Sequence, residues 1–237
     1  MKVLVFLTLI FAVCSAAAQE EEPGQAEVLP DPASLPPLPE KEDKGEAIGD
    51  PQIQFVIDEA FTEKHEHDRT PSEPFSVVAP NGENVYVIAG GRKSGAKEFL
   101  RVSVADKDKK PVEVVRFSDL TVPMLEKTED RLKICCFLLG EHVMPSIQRG
   151  YEDGEIRDVY RTKVNGLDAV VLHSHMVDPK SKNAYAVKIV GILKPEAPGA
   201  VMMFTMANTK GSEIREISDL ESKGYGQRIL HTLKFVD

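Results

Sequence analysis

The chain has 237 residues and a formal net charge of −9, and only three residues are cysteines, so it is no small disulfide-stapled scaffold. The negative charge is concentrated in residues 19–50, which hold ten acidic residues and two lysines. Residues 51–237 hold 28 acidic and 26 basic residues, which argues against the basic surface of a nucleic-acid-binding protein.

The first 18 residues have the pattern of a secretory signal peptide. Lys2 is followed by an apolar run over residues 3–13, which is too short for a bilayer-spanning helix of about 20 residues. Three alanines at positions 16–18 supply the small residues of a cleavage site, so we predict cleavage after Ala18. An alternative is lipid attachment at Cys14, although the bulky Val13 precedes it where a small residue is expected. We identify no later transmembrane segment, so membrane association is expected only if Cys14 is lipidated.

Residues 19–50 are predicted to form a disordered, acidic, proline-rich tether. Seven of the sixteen prolines fall between residues 19 and 51, and this stretch has no aromatic residue. Such a composition buries too little apolar surface to offset the loss of chain entropy on folding. An alternative is that "LPPLP", residues 35–39, is a docking motif.

Residues 51–237 are predicted to form a single globular domain that begins near "IQFVIDEAF". Short strands follow at "PFSVVAP", "NVYVIAG", "EFLRVSVAD" and "VEVVRF", because each is rich in β-branched or aromatic residues and most are bounded by turn residues. The turn "AGGRKSGAKE" lacks the spacing of a phosphate-binding loop.

An amphipathic helix is predicted in "DLTVPMLEKTEDRLKICCFLLG". Its apolar stripe follows three- and four-residue steps, with Pro123 in the first turn and Gly140 at the end. The stripe consists of Leu125, Thr128, Leu132, Cys136 and Leu139. We therefore predict that Cys136 packs in the core with Cys135 beside it. An intermolecular disulfide or a reactive thiol is the alternative for this pair.

The C-terminal half returns to strands. Residues 156–166 end in Asn-Gly, a strong hairpin signal, and "LDAVVLHSHMV", "AYAVKIVGIL" and "AVMMFTMAN" follow. Each of these three strands has one strongly apolar face, and we expect Leu172, Ile189 and Phe204 to meet in one core. A closing helix is predicted with Ser218 and Glu221 as its capping box.

Two histidines, His173 and His175, share the mixed face of one strand with Lys188 of the next. A zinc site needs at least three convergent ligands, and the sequence indicates no third ligand near these two.

The segment "EKHEHD", residues 63–68, is interpreted as a solvated polar loop. We therefore predict no metal-ligating, catalytic or cofactor-binding residue, and no stoichiometric zinc binding tighter than micromolar in calorimetric titration.

The segments "FSVVAP", "VNGLDAVVL" and "ILHTLKF", in an order of strands, helix, strands and helix, resemble the PsbP-like family. The resemblance covers about residues 75–236 and rests on hydrophobic patterns with a few turn residues. It implies an α/β/α sandwich with a mainly antiparallel sheet flanked by helices, used as a binding or accessory module. The family shares no catalytic residues, so the resemblance transfers none. A fold resemblance does not by itself assign function.

The sequence therefore predicts a secreted or periplasmic α+β protein that is not an enzyme and needs no cofactor. Its expected partner is a protein of the cell envelope or extracellular space. The alternative is a small-ligand or metal-binding protein that uses the strand face of His173 and His175. An envelope hydrolase is a third class, for which the sequence lacks the motifs of a nucleophile or a metal-activated water.

Overall fold

The computed structural model describes residues 29–43, 48–49, 52–90 and 98–236. Ten strands lie in this part of the chain: β1 (Gln52–Ile57), β2 (Phe75–Pro80), β3 (Val85–Ala89), β4 (Leu100–Ala105), β5 (Pro111–Thr121), β6 (Ile156–Val164), β7 (Leu167–Val177), β8 (Ala184–Leu193), β9 (Gly199–Asn208) and β10 (Lys234–Phe235). The α-helices of the same part are α1 (Glu59–Lys64), α2 (Thr128–Leu138), α3 (Met144–Gln148) and α4 (Gly224–Leu230). A π-helical turn, Leu139–Val143, joins α2 to α3, and 3₁₀ turns cover Pro32–Ser34 and Ile217–Glu221. The predicted signal peptide, Cys14 and most of the "AGGRKSGAKE" turn lie outside the described residues.

The strands form two antiparallel sheets. The larger has seven strands in the order β3-β4-β5-β9-β8-β7-β6, and the smaller has three in the order β1-β2-β10. The predicted Asn-Gly turn joins β6 to β7, with positive φ at Asn165 and Gly166, as a tight hairpin of this kind requires. The α+β class with a mainly antiparallel sheet is therefore confirmed, and the separate three-stranded sheet is a feature the sequence did not indicate.

One face of the seven-stranded sheet, here called the helix face, packs against α2. Leu172, Ile189 and Phe204 lie on it and are 1%, 0% and 7% exposed, as the two-residue periodicity predicted. The same core contains Leu132 and Leu139 from the helical segment. Helical and sheet residues therefore bury one continuous apolar layer, the main source of stability expected for a domain of this size.

The phase of α2 differs from the prediction at the cysteines. Cys135 is fully buried and Cys136 is only half-buried, so the assignment of Cys136 to the core stripe is wrong. The helix begins at Thr128 rather than near Pro123, and Gly140 lies in a π-helical turn instead of at a helix end. Leu132 and Leu139 of the predicted stripe are buried, so the prediction is right at these two positions and wrong at the cysteine between them. Burial raises the pKa of the Cys135 thiol to about 12, which makes it a poor nucleophile.

Gly191 of β8 is the contact point between the sheet and α2. A methyl group there would lie 2.5 Å from the Sγ atom of Cys135 and 3.3 Å from Cδ1 of Leu139. We expect Gly191→Ala to lower the free energy of unfolding by about 1–3 kcal/mol, because it overpacks this layer. The Cys135→Ala change should recover part of that loss, because it removes the clashing sulfur. Urea denaturation of both single variants and the double variant measures this coupling, and purely additive effects would contradict the packing.

The other face of the large sheet, here called the opposite face, is also covered. The three-stranded sheet and the C-terminal segment pack on it, with Phe75, Val77, Ile229 and Leu233 all fully buried. His173 and Lys188 lie on this face and are each 1% exposed. The predicted mixed face that holds His173 and Lys188 is therefore an interior face rather than an outer one, because a second layer covers it.

Residues 29–43 of the predicted tether lie on the domain. Leu29, Leu35 and Leu38 pack beside the core of the helix face, and Glu40 bridges to Arg161 at the edge of β6. The backbone then continues to Asp43, whose side chain is 1% exposed beside Lys188 on the opposite face. Residues 29–43 thus wrap around the β6 edge, so the prediction of a disordered tether is wrong for them. The leucines of "LPPLP" contact the chain's own core.

The predicted closing helix is divided into two short pieces. A capping box does occur, but it is formed by Glu216 and Asp219 at the 3₁₀ turn rather than by Ser218 and Glu221. Gly224 then takes a positive φ of 90°, which separates this turn from α4. The predicted pair is therefore wrong, and Glu221 is available for a contact with residues from another part of the chain.

Candidate functional site

A row of four polar residues crosses the opposite face of the seven-stranded sheet. Asp158 of β6 pairs in register with His173 of β7, His173 with Lys188 of β8, and Lys188 with Thr205 of β9. Directly paired residues in a sheet point to the same side with their Cβ atoms about 5 Å apart. The antiparallel register therefore gathers side chains from four strands into one line, here called the polar row.

Two segments distant in sequence cover the polar row. The first is residues 39–43, here called the strap, which pairs with β6 through a 3.0 Å hydrogen bond from Lys41 N to Arg161 O and a 2.8 Å bond from Arg161 N to Pro39 O. The second is the C-terminal segment from Ile217 to Leu230. Gly226 of α4 lies against Thr205, because a Cβ atom there would approach Oγ1 of Thr205 to 2.4 Å.

Lys188 is a buried ammonium group with several acceptors. Its Nζ atom donates to Oε1 of Gln227 at 2.5 Å and to the carbonyl of Leu220 at 3.3 Å, and it lies 3.8 Å from Oδ1 of Asp43. Burial lowers the pKa of Lys188 to about 8, while the carboxylates of Asp43 and Glu221 oppose that shift. The side chain of Lys188 is therefore mostly in its ammonium form at neutral pH.

Asp43 connects the strap to this buried charge. Its carboxylate accepts from Nε2 of Gln227 at 2.9 Å and lies 2.7 Å from Nε2 of His231. Burial would raise the pKa of Asp43, but the contact with His231 and the charge of Lys188 outweigh it and hold that pKa below its usual value. Asp43 therefore remains a carboxylate at neutral pH and is the anionic partner of Lys188 in the interior.

A second group of charges lies at the β6 end of the polar row. Asp158, His173 and Glu221 each place one potential ligand atom within 4.8 Å of the others. The ammonium group of Lys41 forms ion pairs with Asp158 and, at 3.4 Å, with Oε1 of Glu221. Lys41 also lies 4.6 Å from the ring centre of Tyr160, a distance that suits a cation–π contact.

His173 is the least satisfied member of this group. Its Nδ1 atom lies 4.0 Å from Oδ2 of Asp158, which is too long for a hydrogen bond, and its Nε2 atom is buried without a hydrogen-bond partner among the described residues. Burial and the charge of Lys188 lower the pKa of His173 to about 3. The imidazole is therefore neutral over the physiological pH range.

The two histidines share one face of β7, as predicted, but their surroundings differ. His173 lies in the polar row, whereas His175, two residues further along β7, pairs with Ala186 and is half-buried. The sequence indicated no third ligand, but the structure places Asp158 and Glu221 beside His173. A lysine inside the apolar run "AVKIV" was the available signal, because a charge in the middle of a buried strand needs partners.

The histidines of residues 63–68 lie apart from this cluster. His65 and His67 have ring centres 4.5 Å and 5.9 Å from that of Phe61, and His67 lies 5.5 Å from Phe99. The segment is thus partly packed against aromatic rings rather than fully solvated. A separate open groove of about 500 Å³ is lined by Leu167, Pro195, Leu233 and Phe235, with Asn165, Lys194 and Lys234 as its polar members.

Edge strand β3 presents a different kind of surface. It reads "VYVIA" without a charged residue, and among the described residues it pairs only with β4. Tyr86 and Ile88 are 42% and 40% exposed and, being two residues apart, lie on the same face of the strand. The opposite edge, β6, is covered by the strap. An uncovered, charge-free edge strand is a template for pairing with another chain.

The other apolar edge strand, β1, lacks this continuity. Ile53 and Val56 are 40% and 38% exposed, but they lie three residues apart and therefore point to opposite faces. The exposed Gln52 and Gln54 interrupt the strand's apolar character. Among these two strands, β3 therefore has the more continuous exposed apolar face.

No family model matches the sequence, and no curated protein matches it either. A solved structure from Bacteroides thetaiotaomicron VPI-5482 aligns over 78% of this chain and 48% of its own, with 11% identity and a TM-score of 0.45. The chain thus spans about half the length of that protein. LpqN of Mycobacterium tuberculosis, a protein involved in cell envelope biogenesis, aligns over 78% of this chain and 92% of its own, with 11% identity and a TM-score of 0.45. These comparisons assign the chain to no family.

Within the ranges that the structure describes, no helix combines the length and apolar character needed to cross a membrane.

Proposed function

We propose that the protein is an exported, non-enzymatic binding or accessory protein that acts through protein–protein contact, with β3 as its contact strand. The observation that carries this proposal is the pair of exposed apolar side chains, Tyr86 and Ile88, on an edge strand without charge. The proposed partner of β3 is an extended apolar segment of a second protein, which would add a strand beside β3. Main-chain hydrogen bonds supply affinity in this mode, and alternate side chains supply specificity.

The strap supports this mode of binding. At the β6 edge an extended segment of the chain itself already pairs with the same sheet through main-chain hydrogen bonds. Along the polar row, by contrast, Lys41 and Asp43 of the strap already neutralise the carboxylates of Asp158 and Glu221 and the ammonium group of Lys188. Surface contact is therefore the role that the exposed groups favour. Export rests on the N-terminal pattern, and membership of the PsbP-like family is proposed from the sequence resemblance alone.

The proposal predicts that Ile88→Lys weakens partner binding at least tenfold, because it places a charge on the apolar edge. Ile53→Lys is a matched control, because Ile53 is also 40% exposed but lies on β1. A photo-crosslinking residue at position 86 of the full chain would identify the partner in the native extracytoplasmic fraction. The dissociation constant of the purified pair is then measured by calorimetry for the wild type and for both variants.

Equal loss in both lysine variants, or unchanged affinity in Ile88→Lys, would contradict β3 as the contact strand. Crosslinking of position 86 to a second copy of the chain, with a matching dimer mass in light scattering, would replace the proposed partner with self-association. Circular dichroism of each variant confirms that the fold is retained.

A further inference from the structure

The charge group at the β6 end of the polar row has the composition of a metal site. Asp158 and Glu221 offer carboxylate oxygens and His173 offers an imidazole nitrogen, with one such atom from each within 4.8 Å of the others. Two carboxylates and one imidazole leave an open position on Zn²⁺, which typically takes four ligands. Imidazole and carboxylate together suit transition-metal ions better than Ca²⁺ or Mg²⁺, which prefer oxygen alone.

A cation already lies at this position. The ammonium group of Lys41 contacts Asp158 and lies 3.4 Å from Glu221, so it occupies the place where a metal would neutralise both carboxylates. Lys41 belongs to the strap, and its side chain is 41% exposed. The group that fills the site is therefore carried by a surface segment rather than by the sheet.

The imidazole supplies an independent indication of a ligand. His173 is 1% exposed, its Nδ1 atom lies 4.0 Å from Oδ2 of Asp158, which is too far for a hydrogen bond, and its Nε2 atom has no hydrogen-bond partner among the described residues. A buried polar atom without a partner costs about 1–3 kcal/mol, so native structures seldom retain one without a reason. The Lys41 ammonium satisfies the carboxylates but not this imidazole.

The two carboxylates have room to complete a coordination sphere. Zinc–ligand distances of about 2.0–2.2 Å require the three ligand atoms to move closer together than they are now. Asp158 and Glu221 have side chains that are 33% and 40% exposed, so both can change rotamer without disturbing the core. His173 is held by packing and would be the fixed ligand.

We propose that Asp158, His173 and Glu221 form a binding site for a divalent transition-metal ion such as Zn²⁺, and that Lys41 of the strap blocks it. This site does not depend on the proposed role of β3. It also agrees with the expectation that the wild-type chain binds no zinc tighter than micromolar, because the ion would have to displace Lys41.

The test is calorimetric titration of the full chain with zinc chloride. Lys41→Met removes the ammonium group but keeps most of the apolar stem, and we expect it to bind one zinc ion at least tenfold more tightly than the wild type. Lys41→Arg retains the positive charge and should behave like the wild type. Titration with Co²⁺ gives a second readout, because its visible absorption spectrum reports on ligand type and geometry.

Two further variants locate the ion. Glu221→Gln and His173→Ala, each combined with Lys41→Met, should abolish the gain in affinity, and the exposed Glu221 provides the test if His173→Ala fails to fold. The proposal is overturned if Lys41→Met binds zinc no more tightly than the wild type. It is also overturned if the gain survives Glu221→Gln but disappears when His65 and His67 are replaced, or if the wild type already binds tightly through His173.

Discussion

Replacing Asp43 with alanine is expected to lower the free energy of unfolding by about 3–5 kcal/mol at pH 7. The change removes the carboxylate that lies 3.8 Å from the Lys188 ammonium, whose side chain is 1% exposed. It also removes the carboxylate that the side chains of Gln227 and His231 contact. Lys188 would then keep a buried charge without its anionic partner, or lose its proton in the folded state. Urea denaturation followed by circular dichroism measures the loss.

The strap provides a matched control for this effect. Glu42, the adjacent residue, is exposed, and Glu42→Ala should change the free energy of unfolding by less than about 0.5 kcal/mol. Adding Lys188→Met to Asp43→Ala should recover much of the stability, because an apolar side chain of similar length replaces the unpaired amine. A loss as small in Asp43→Ala as in Glu42→Ala would show that the strap does not neutralise Lys188.

Glu113 of β5 is expected to make the stability of the wild type depend on pH. Its carboxylate accepts from the backbone of Tyr225 at 3.0 Å and of Gly226 at 2.6 Å, at the start of α4. Burial, aided by the charge of Glu213, raises the pKa of Glu113 from 4.5 to about 7, although the two backbone donors and Arg228 act in the other direction. The folded state therefore binds more protons than the unfolded state between these two pH values.

Because the folded pKa is the higher one, the stabilisation is complete below about pH 4.5 and is lost as the pH rises to about 7. Glu113→Gln cannot ionise, so its stability relative to the wild type should increase by about 3 kcal/mol between pH 4.5 and pH 8. The amide loses one acceptor for a backbone N–H, which shifts its curve by a constant amount without changing the slope.

Urea denaturation at several pH values, with both proteins in the same buffers, gives this difference directly. Glu141→Gln is the control, because Glu141 is exposed on the π-helical turn and is not among the charges that act on Glu113, and its profile should run nearly parallel to that of the wild type. Parallel profiles for Glu113→Gln and the wild type would contradict a buried carboxyl group with a raised pKa.

The sequence was sufficient to predict the strands and one of their faces. Alternation in β7, β8 and β9 placed Leu172, Ile189 and Phe204 in a common core, and the structure buries all three. The hairpin at Asn165 followed from local turn chemistry. These features depend on residues that are close together in the sequence, so the pattern of a single sequence is enough to predict them.

The cover of the opposite face could not be predicted, because it depends on contacts between distant segments. Gln227 and Asp43 are 184 residues apart in sequence, and the alternation of β7 and β8 does not reveal what covers a mixed face. The composition of residues 19–50 indicated disorder, yet three leucines at positions 29, 35 and 38 anchor part of that segment to the core. A few apolar anchors and one buried ion pair counteract an average composition that favours a disordered chain.

The cysteine error has a local cause. Cys135 and Cys136 differ by about 100° around a helix, so a shift of one residue in phase exchanges the buried and the half-buried thiol. The close approach of Gly191 to Cys135 fixes that phase, and it depends on a strand more than 50 residues further along the chain.

The path of residues 29–43 around the β6 edge also determines how the domain would carry mechanical load. A force applied at the N-terminal end of this segment would reach the main-chain bonds at Arg161 and the contacts of Asp43 before it reached β1 and β2. Residues 29–43 would therefore detach from the β6 edge first, and the extended length of the chain would increase while the seven-stranded sheet stays folded. Opening it would also withdraw Lys41 from Asp158 and Glu221, so tension on the N-terminal side would leave these two carboxylates without their ammonium partner.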